Sequence, residues 1–413
     1  MRFSLKKRYF EGPLSGGFAS LYIGRSITTV AGGLLGLFLP LFLYNLFHEN
    51  IGLVLLYFSA SHFLYLIFVI FGAQFLNRFG FRNALRASVL AGALHFGIFI
   101  FVTENTAWFL IPLTVLILLI YRLLYWIPYH VDLAKFTSIQ NRGRELSLME
   151  ATFLIISTLV PVIAGFIIVR YDFSVLFFLA IVLYLVSGFS YITIPETNER
   201  FSWGYMETWK KFFSHLHSKT LLGYMADGAE SVVGLIIWPV FIFQILDGDY
   251  LSVGVLSTLI TAVAIVVQLS LGRIIDTTLK KETVMWWGSI FYSLGWIAKT
   301  FIATAFGIFV AGAYHSIMHI FTRTPLDTLT YEMAADEGHY VDEFTVLKEI
   351  ALTAGKLIMF AATGIALMFV SIQWTFLLSA LAALALTLLG ARDLHIGAGQ
   401  GLKSLDTSSR APF

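Results

Sequence analysis

The chain has 413 residues, of which 58% are hydrophobic, 16% aromatic and only 13% charged, against about 25% charged in an ordinary soluble domain. Its mean hydropathy is +0.81 and its formal net charge +2. These values exclude a disordered chain, a coiled coil, a soluble enzyme and a nucleic-acid binder, and they make lipid the solvent for most of the chain. There is no cysteine, which removes disulfides, thiolate catalysis and cysteine-based metal sites.

A bilayer core of about 30 Å takes roughly 20 apolar residues of helix. Twelve such stretches follow one another, near 17–45, 52–76, 83–103, 107–129, 147–169, 173–194, 220–246, 251–274, 283–303, 304–323, 345–369 and 372–391. Backbone groups in lipid must be satisfied within the segment, so the expected fold is all-α with twelve transmembrane helices. The basic stretch Met1 to Gly12 precedes a span-length apolar segment with no small-residue cleavage site, so a retained helix is expected and not a secretory signal. Most of the 27 Lys and Arg residues fall on one side of this path, including Arg78, Arg82, Arg86, Lys135, Lys210 and Arg323. That asymmetry places both termini on the cytoplasmic side. Lys299, near the opposite side, is expected to snorkel outward.

Pro195 opens the longest linker between central spans. Within it Trp203, Met206, Lys210, Phe213 and Leu216 recur at helical spacing, which predicts a short amphipathic helix on the membrane face. The expected organisation is a six-helix bundle 1–194, the linker 195–219, a second six-helix bundle 220–391 and a tail 392–413. The halves read as a repeat: Pro40 and Pro239 are 199 apart, Gly72 and Gly272 are 200 apart, Pro128 and Pro325 are 197 apart, and Glu150 and Glu349 are 199 apart. Pro128 and Pro325 are read as helix ends. Gly32, Gly33 and Gly36 are read as a place of close helix approach in the first span. Two pseudo-symmetric halves with a cleft between them suit transport by alternating access.

The loop after the second span reads Gly72-Ala-Gln-Phe-Leu-Asn77-Arg78-Phe-Gly80-Phe-Arg82. It resembles the Gly-x4-Asp-Arg-x-Gly-Arg-Arg loop of the major facilitator superfamily, with Asn77 in place of the acid and Phe81 in place of a basic residue. The resemblance implies that Gly72, Asn77, Arg78, Gly80 and Arg82 form an inner gate. Arg122, in the fourth span, stands where proton-coupled exporters of that family carry an arginine. Pro161-Val-Ile-Ala-Gly165 resembles an element of its antiporters, and Pro195-Glu196-Thr197 a tract of its sugar porters.

In that family spans 1, 4, 7 and 10 line the cavity, and here each carries ionisable groups: Arg25, Arg122, Asp227 with Glu230, and His315 with His319. Such groups are costly at bilayer depth, about 2.5–3.5 kcal/mol each for the charged ones, which makes them functional candidates. Asp227 and Glu230 share a face, as do His315 and His319. Pairing of the two carboxylates with Arg25 or Arg122 across the cleft is one expectation. Proton loading at a carboxylate in a partly apolar cavity, Glu230 first, is the other. Tyr121, Trp126 and Trp238 are candidates for holding an apolar or ring-shaped solute. His95 and Lys356 are assigned to packing helices. The two histidines lack a third ligand, so no metal is expected. The acidic segment 327–343 lacks EF-hand spacing and is read as a solvated loop.

No Gly-x4-Gly-Lys-Ser/Thr loop exists, so no nucleotide or other cofactor is expected. The expected function is a secondary active transporter of a small solute, proton-coupled, inclined towards antiport or export. It would be a multi-pass protein of the inner or plasma membrane, monomeric, with solute, protons and lipids as partners and no nucleic acid. A lipid transporter or scramblase on the same fold is the alternative, and an integral-membrane enzyme a weaker one.

Overall fold

The computed structural model describes residues 14–137, 142–197, 199–214, 218–278, 281–336 and 341–388. The basic N-terminal stretch and the tail 392–413 lie outside them. Among the described residues there is no strand. The helices are α1 Gly16–Gly36, α2 Leu39–Leu46, α3 Ile51–Phe79, α4 Phe81–Phe99, α5 Ala107–Phe136, α6 Arg142–Tyr171 and α7 Phe173–Ile192. After the linker helix α8 Tyr205–Phe212 come α9 Ser218–Val232, α10 Trp238–Ile245, α11 Tyr250–Thr278, α12 Lys281–Lys299, α13 Ala305–Asp336, α14 Val341–Ala366 and α15 Phe376–Ala385. Among the described residues nine helical segments are long and apolar enough to cross a membrane, with Gly16–Leu46 and Leu221–Ile245 each counted as one. The helices α4 and α12 fall outside that set; Arg82 and Arg86 lower the hydropathy of the first. Large apolar side chains such as Phe63, Phe166, Phe189 and Leu235 point outward, as expected where the surroundings are hydrocarbon.

The starts of several helices are written locally. Ser15 accepts from the Phe18 N–H at 3.0 Å and Asn50 from the Leu53 N–H at 3.2 Å, which satisfies donors the helix cannot. At the start of α11, Asp249 accepts from the Leu251 N–H at 3.0 Å and from Ser252 Oγ at 2.5 Å. The Ser252 hydroxyl in particular holds the exposed Asp249 carboxyl below the usual carboxylate range.

Pro40 and Pro239 occupy one local structure twice. Each sits in the first turn of an eight-residue helix, α2 or α10, that restarts an interrupted span. The interruption before α10 is a π-helical turn, Val233–Ile237. Both short helices end on a residue with φ −94 and ψ 23, Phe47 and Leu246. Both are followed by two residues of positive φ, His48 and Glu49 in one case, Asp247 and Gly248 in the other. The two ends also bond to each other: Gln244 Nε2 donates to Tyr44 Oη at 2.7 Å, and Asn45 to Tyr250.

Several expectations change. Helix α5 runs through Pro128 to Phe136, and α13 runs through Pro325 to Asp336. An internal proline removes one hydrogen bond, which a long helix can lose without ending. Most of the acidic segment is therefore helix, and residues 337–340 lie outside the described residues. Asp342 and Glu343 are buried, not solvated. Gly32 and Gly36 face open space, and a Cβ on Gly33 would meet only Val160 at 3.2 Å, so α1 makes no backbone-close approach there. Such approaches occur elsewhere. A Cβ on Gly254 would stand 2.4 Å from the Pro161 carbonyl oxygen, and one on Gly165 2.6 Å from that of Tyr250, which locks α6 against α11. A Cβ on Gly228 or Gly355 would meet the backbone of the other's helix, α14 or α9.

The linker is more protein-bound than its amphipathic pattern suggested. Met206 and Phe213 are exposed, but Phe201 and Phe212 are buried with Tyr224 and Phe344 in one apolar cluster. Leu216 lies outside the described residues.

Candidate functional site

Asp227 and Glu230 sit one turn apart on α9 and meet different partners. Asp227 bonds Arg323 of α13. Glu230 is buried, and its Oε1 accepts from Tyr292 Oη at 2.5 Å and Trp296 Nε1 at 3.0 Å, both on α12. Tyr292 and Trp296 are four residues apart, so a single helix face presents both donors. That face continues to Lys299. Its ammonium lies 4.1 Å from the Trp238 ring centroid and 4.0 Å from that of Trp296. Lys299 is 2% exposed, so it does not snorkel outward: two indoles and the charge of Glu230 hold it inside.

The histidines of α13 close this cluster. His315 lies over Tyr292 with centroids 4.3 Å apart and against Trp296 at 4.5 Å. His319 lies 5.3 Å from Tyr292. Asp227, Glu230, Tyr292, His319, Thr322, Arg323 and Leu386 line one narrow cavity. Trp238 packs its ring on Phe241 and Phe376 and reaches the cluster through Lys299.

The other half carries the arginines. Arg25 of α1 donates from Nη1 to Tyr125 Oη at 3.3 Å and lies over the rings of Trp126, Tyr129 and Phe153. Arg122 donates from Nη1 to Ser61 Oγ at 2.7 Å. Tyr121 stacks on Tyr125 at 5.2 Å, and Trp126 stacks on His130 at 5.7 Å. Neither arginine bonds Asp227 or Glu230. The expected cross-cleft pairs are not made: Arg323 of α13 bonds Asp227, and neutral donors reach Glu230. His95 is buried and shares a hydrogen bond with the Thr114 carbonyl at 3.1 Å, a packing histidine.

One further link between the first and second sets of spans runs through Glu349, which in the sequence is a repeat marker. Glu349 of α14 accepts from Tyr65 of α3 at 3.1 Å and lies 3.9 Å from His130 of α5. Arg122 and Lys356 are both within its electrostatic reach. A glutamate in the first turns of a span looks topological in sequence. Tyr65, Tyr292 and Trp296 carry no sequence signal that separates them from other aromatics.

The residues expected at an inner gate divide. Gly72 lets Leu123 of α5 approach, where a Cβ would stand 2.8 Å from it. Gly80 turns the chain at φ +81. Arg82 pairs with Glu196 at 3.0 Å, and Arg78 is exposed. Asn77 binds the linker: its Nδ2 donates to the Phe201 carbonyl at 2.8 Å and its Oδ1 accepts from the Phe201 N–H at 2.9 Å. Beside it Ser202 donates from both backbone N and Oγ to Glu343 Oε1 of α14, at 3.0 and 2.6 Å. Among the described residues no group of three or more His, Asp or Glu side chains could hold a metal ion.

The sequence profile of the Major Facilitator Superfamily matches residues 21–226. No curated protein sequence matches the chain. Among solved structures, the peptide transporter POT in complex with alafosfalin is 13% identical, at TM-score 0.66, covering 92% of this chain and 94% of that one. The same transporter in complex with sulfate is 11% identical at TM-score 0.67, with the same coverages. The E. coli fucose:proton symporter FucP is 12% identical at TM-score 0.63, covering 92% of this chain and 98% of that one. At these identities the likeness is one of fold.

Proposed function

We propose that this chain, a multi-pass integral membrane protein that belongs to the Major Facilitator Superfamily, moves a small solute by alternating access with protons as the coupling ion. Its twelve spans form two six-helix halves, 1–194 and 220–391, joined by the linker 195–219, with both termini cytoplasmic and the monomer as the working unit. The POT structures are of a peptide transporter and the FucP structure is of a fucose:proton symporter, which favours transport over catalysis and makes proton coupling the natural extension.

The observation that carries the coupling assignment is the unequal treatment of two carboxylates on one helix face. Asp227 is bonded by a permanent cation, Arg323, so losing its charge would leave that guanidinium without its carboxylate. Glu230 is bonded only by neutral donors, Tyr292 and Trp296. It can gain a proton without breaking an ion pair at bonding distance, so Glu230 is the proton site and Asp227 a structural charge. Solute would bind between this cluster and the Arg25, Arg122, Tyr121 and Trp126 wall. Gly72, Asn77, Arg78, Gly80 and Arg82 would work the inner gate. The Pro161–Gly165 element leans the direction towards export by antiport.

The test is reconstitution into vesicles that enclose a pH-reporting dye, with a metabolite panel added outside. Solute-dependent proton movement in the wild type and its loss in Glu230→Gln is the expected result. A Glu230→Gln protein that still drives solute against its gradient with the pH gradient would overturn the assignment.

A further inference from the structure

Among the described residues, four cations on these helices other than Arg25 have a carboxylate in reach. Arg323 bonds Asp227, Lys299 lies in the field of Glu230, and Arg122 and Lys356 share that of Glu349. Arg25 differs from them. Its nearest polar neighbours are hydroxyls of tyrosine, Tyr125, Tyr129 and Tyr121, with the imidazole of His130 also in electrostatic reach. A guanidinium withdrawn from water without an anion is expensive, and two hydrogen-bonding edges of the group need acceptors.

One edge is engaged, since Nη1 reaches Tyr125 Oη at 3.3 Å. The other is not: Nε is fully shielded from solvent and has no hydrogen-bond partner. The surroundings are four aromatic rings, with centroids 5.8 Å away for Tyr125, 5.1 Å for Trp126, 5.2 Å for Tyr129 and 5.7 Å for Phe153. The rings come from two helices, α5 and α6, and Arg25 from a third, α1, so the arrangement is built by tertiary packing and not by one helix face. Trp126 retains partial exposure and gives the group a way to meet solute.

We propose that Arg25 is the anchor for the solute's own negative charge, and that the solute is a small organic carboxylate with a ring or apolar body. This rests on the transporter reading above and supplies its substrate class. The geometry selects among anions. The Nε edge of a guanidinium matches the two oxygens of a carboxylate, which it binds side by side. A free phosphate prefers several cations or a helix N-terminus, whereas among the described residues Arg25 is bonded to a tyrosine and ringed by aromatic side chains. The rings then sort the body of the ligand: they stack with a planar or apolar group and offer little to a polyhydroxylated one. The two halves thus divide the work, with the solute's charge met at Arg25 and the proton at Glu230.

The full chain in detergent, with no gradient imposed, provides the test. Benzoate and phenylacetate are titrated while tryptophan fluorescence and thermal stability are followed, with benzamide and inorganic phosphate as controls. Saturable binding of the carboxylates but not of benzamide is expected, weakened roughly tenfold or more in Arg25→Gln. Arg25→Lys, which keeps the charge and loses the fork, should fall between, and this guards against a variant that fails to fold. Equal binding of benzamide, displacement of benzoate by phosphate at comparable concentrations, undiminished binding in Arg25→Gln, or no binding of either carboxylate would each overturn the proposal. Failure here with proton-coupled movement of some other solute would leave the transporter reading intact. Benzoate binding without proton coupling would do the reverse.

Discussion

Asn77 and Phe201 exchange two hydrogen bonds, the side-chain amide donating to the Phe201 carbonyl at 2.8 Å and accepting from its N–H at 2.9 Å. Only a side chain with both a donor and an acceptor can do this. Asn77, one of the two departures from the superfamily loop, is thus matched to its partner in this chain. Aspartate would keep the acceptor and turn a second oxygen towards the carbonyl. Asn77→Asp is therefore expected to destabilise the linker contact by about 1–3 kcal/mol, with Asn77→Ala similar. Limited trypsin cleavage at Arg200, Lys210 and Lys211 reads the effect, and cleavage as slow as in the wild type would contradict it.

Gly165 and Gly254 bring α6 and α11 to backbone contact, each facing a carbonyl of the other helix at 2.6 and 2.4 Å from where a Cβ would lie. A backbone carbonyl cannot move aside as a side-chain end can. Gly254→Ala should cost at least about 2 kcal/mol of stability and shift the thermal unfolding midpoint down. Gly32→Ala, at a position with open space around it, should leave the midpoint within error or raise it slightly, since alanine favours helix. Equal effects at the two sites would refute the contact.

The contrast between those glycines marks what a sequence can disclose. Glycines at helical spacing in the first span advertise close approach, yet the approach is made where the partner helix happens to pass, at Gly254 and Gly165. The repeat was legible because Pro40 and Pro239 each impose a local geometry, down to matching turns at His48–Glu49 and Asp247–Gly248. Charges on helices were legible as rare residues, so Arg25, Asp227 and Glu230 stood out. Their partners did not. Tyr292, Trp296 and Tyr65 are ordinary among 18 tyrosines and 9 tryptophans, and only packing shows which of them donate to carboxylates. Lys299 and Glu343 were placed in water because charge at a helix end usually lies there. Two indoles and the Ser202 hydroxyl hold them inside instead.

The bond between Asp227 and Arg323 lies at the edge of the cavity, with Arg323 40% exposed and Asp227 13%. Partial exposure tempers the value of the pair. Asp227→Asn should cost about 1–3 kcal/mol by leaving a guanidinium against a neutral amide. Adding Arg323→Gln should recover part of that loss, since both charges then vanish together. Thermal unfolding of the two single variants and the double one forms a closed cycle. Strict additivity would mean that the two residues do not act as a pair.

Tyr65 and Glu349 tie α3 to α14, and every opening of that interface must break their 3.1 Å bond. Tyr65→Phe removes the donor and leaves Glu349 Oε2 without it, while His130 stays 3.9 Å from the other oxygen. The closed form loses a buried, charge-assisted hydrogen bond, and the open form loses nothing because water replaces it there. The equilibrium should shift towards opening by about 1–3 kcal/mol, or roughly 5- to 150-fold in population. The chain has no cysteine, so Ala351→Cys, buried in the same apolar cluster as Tyr65, gives a single reporter. Its maleimide labelling should accelerate on adding Tyr65→Phe by a factor in that range wherever opening limits the reaction. An unchanged labelling rate, with the fold intact by thermal unfolding, would show that the interface is held by its apolar contacts alone.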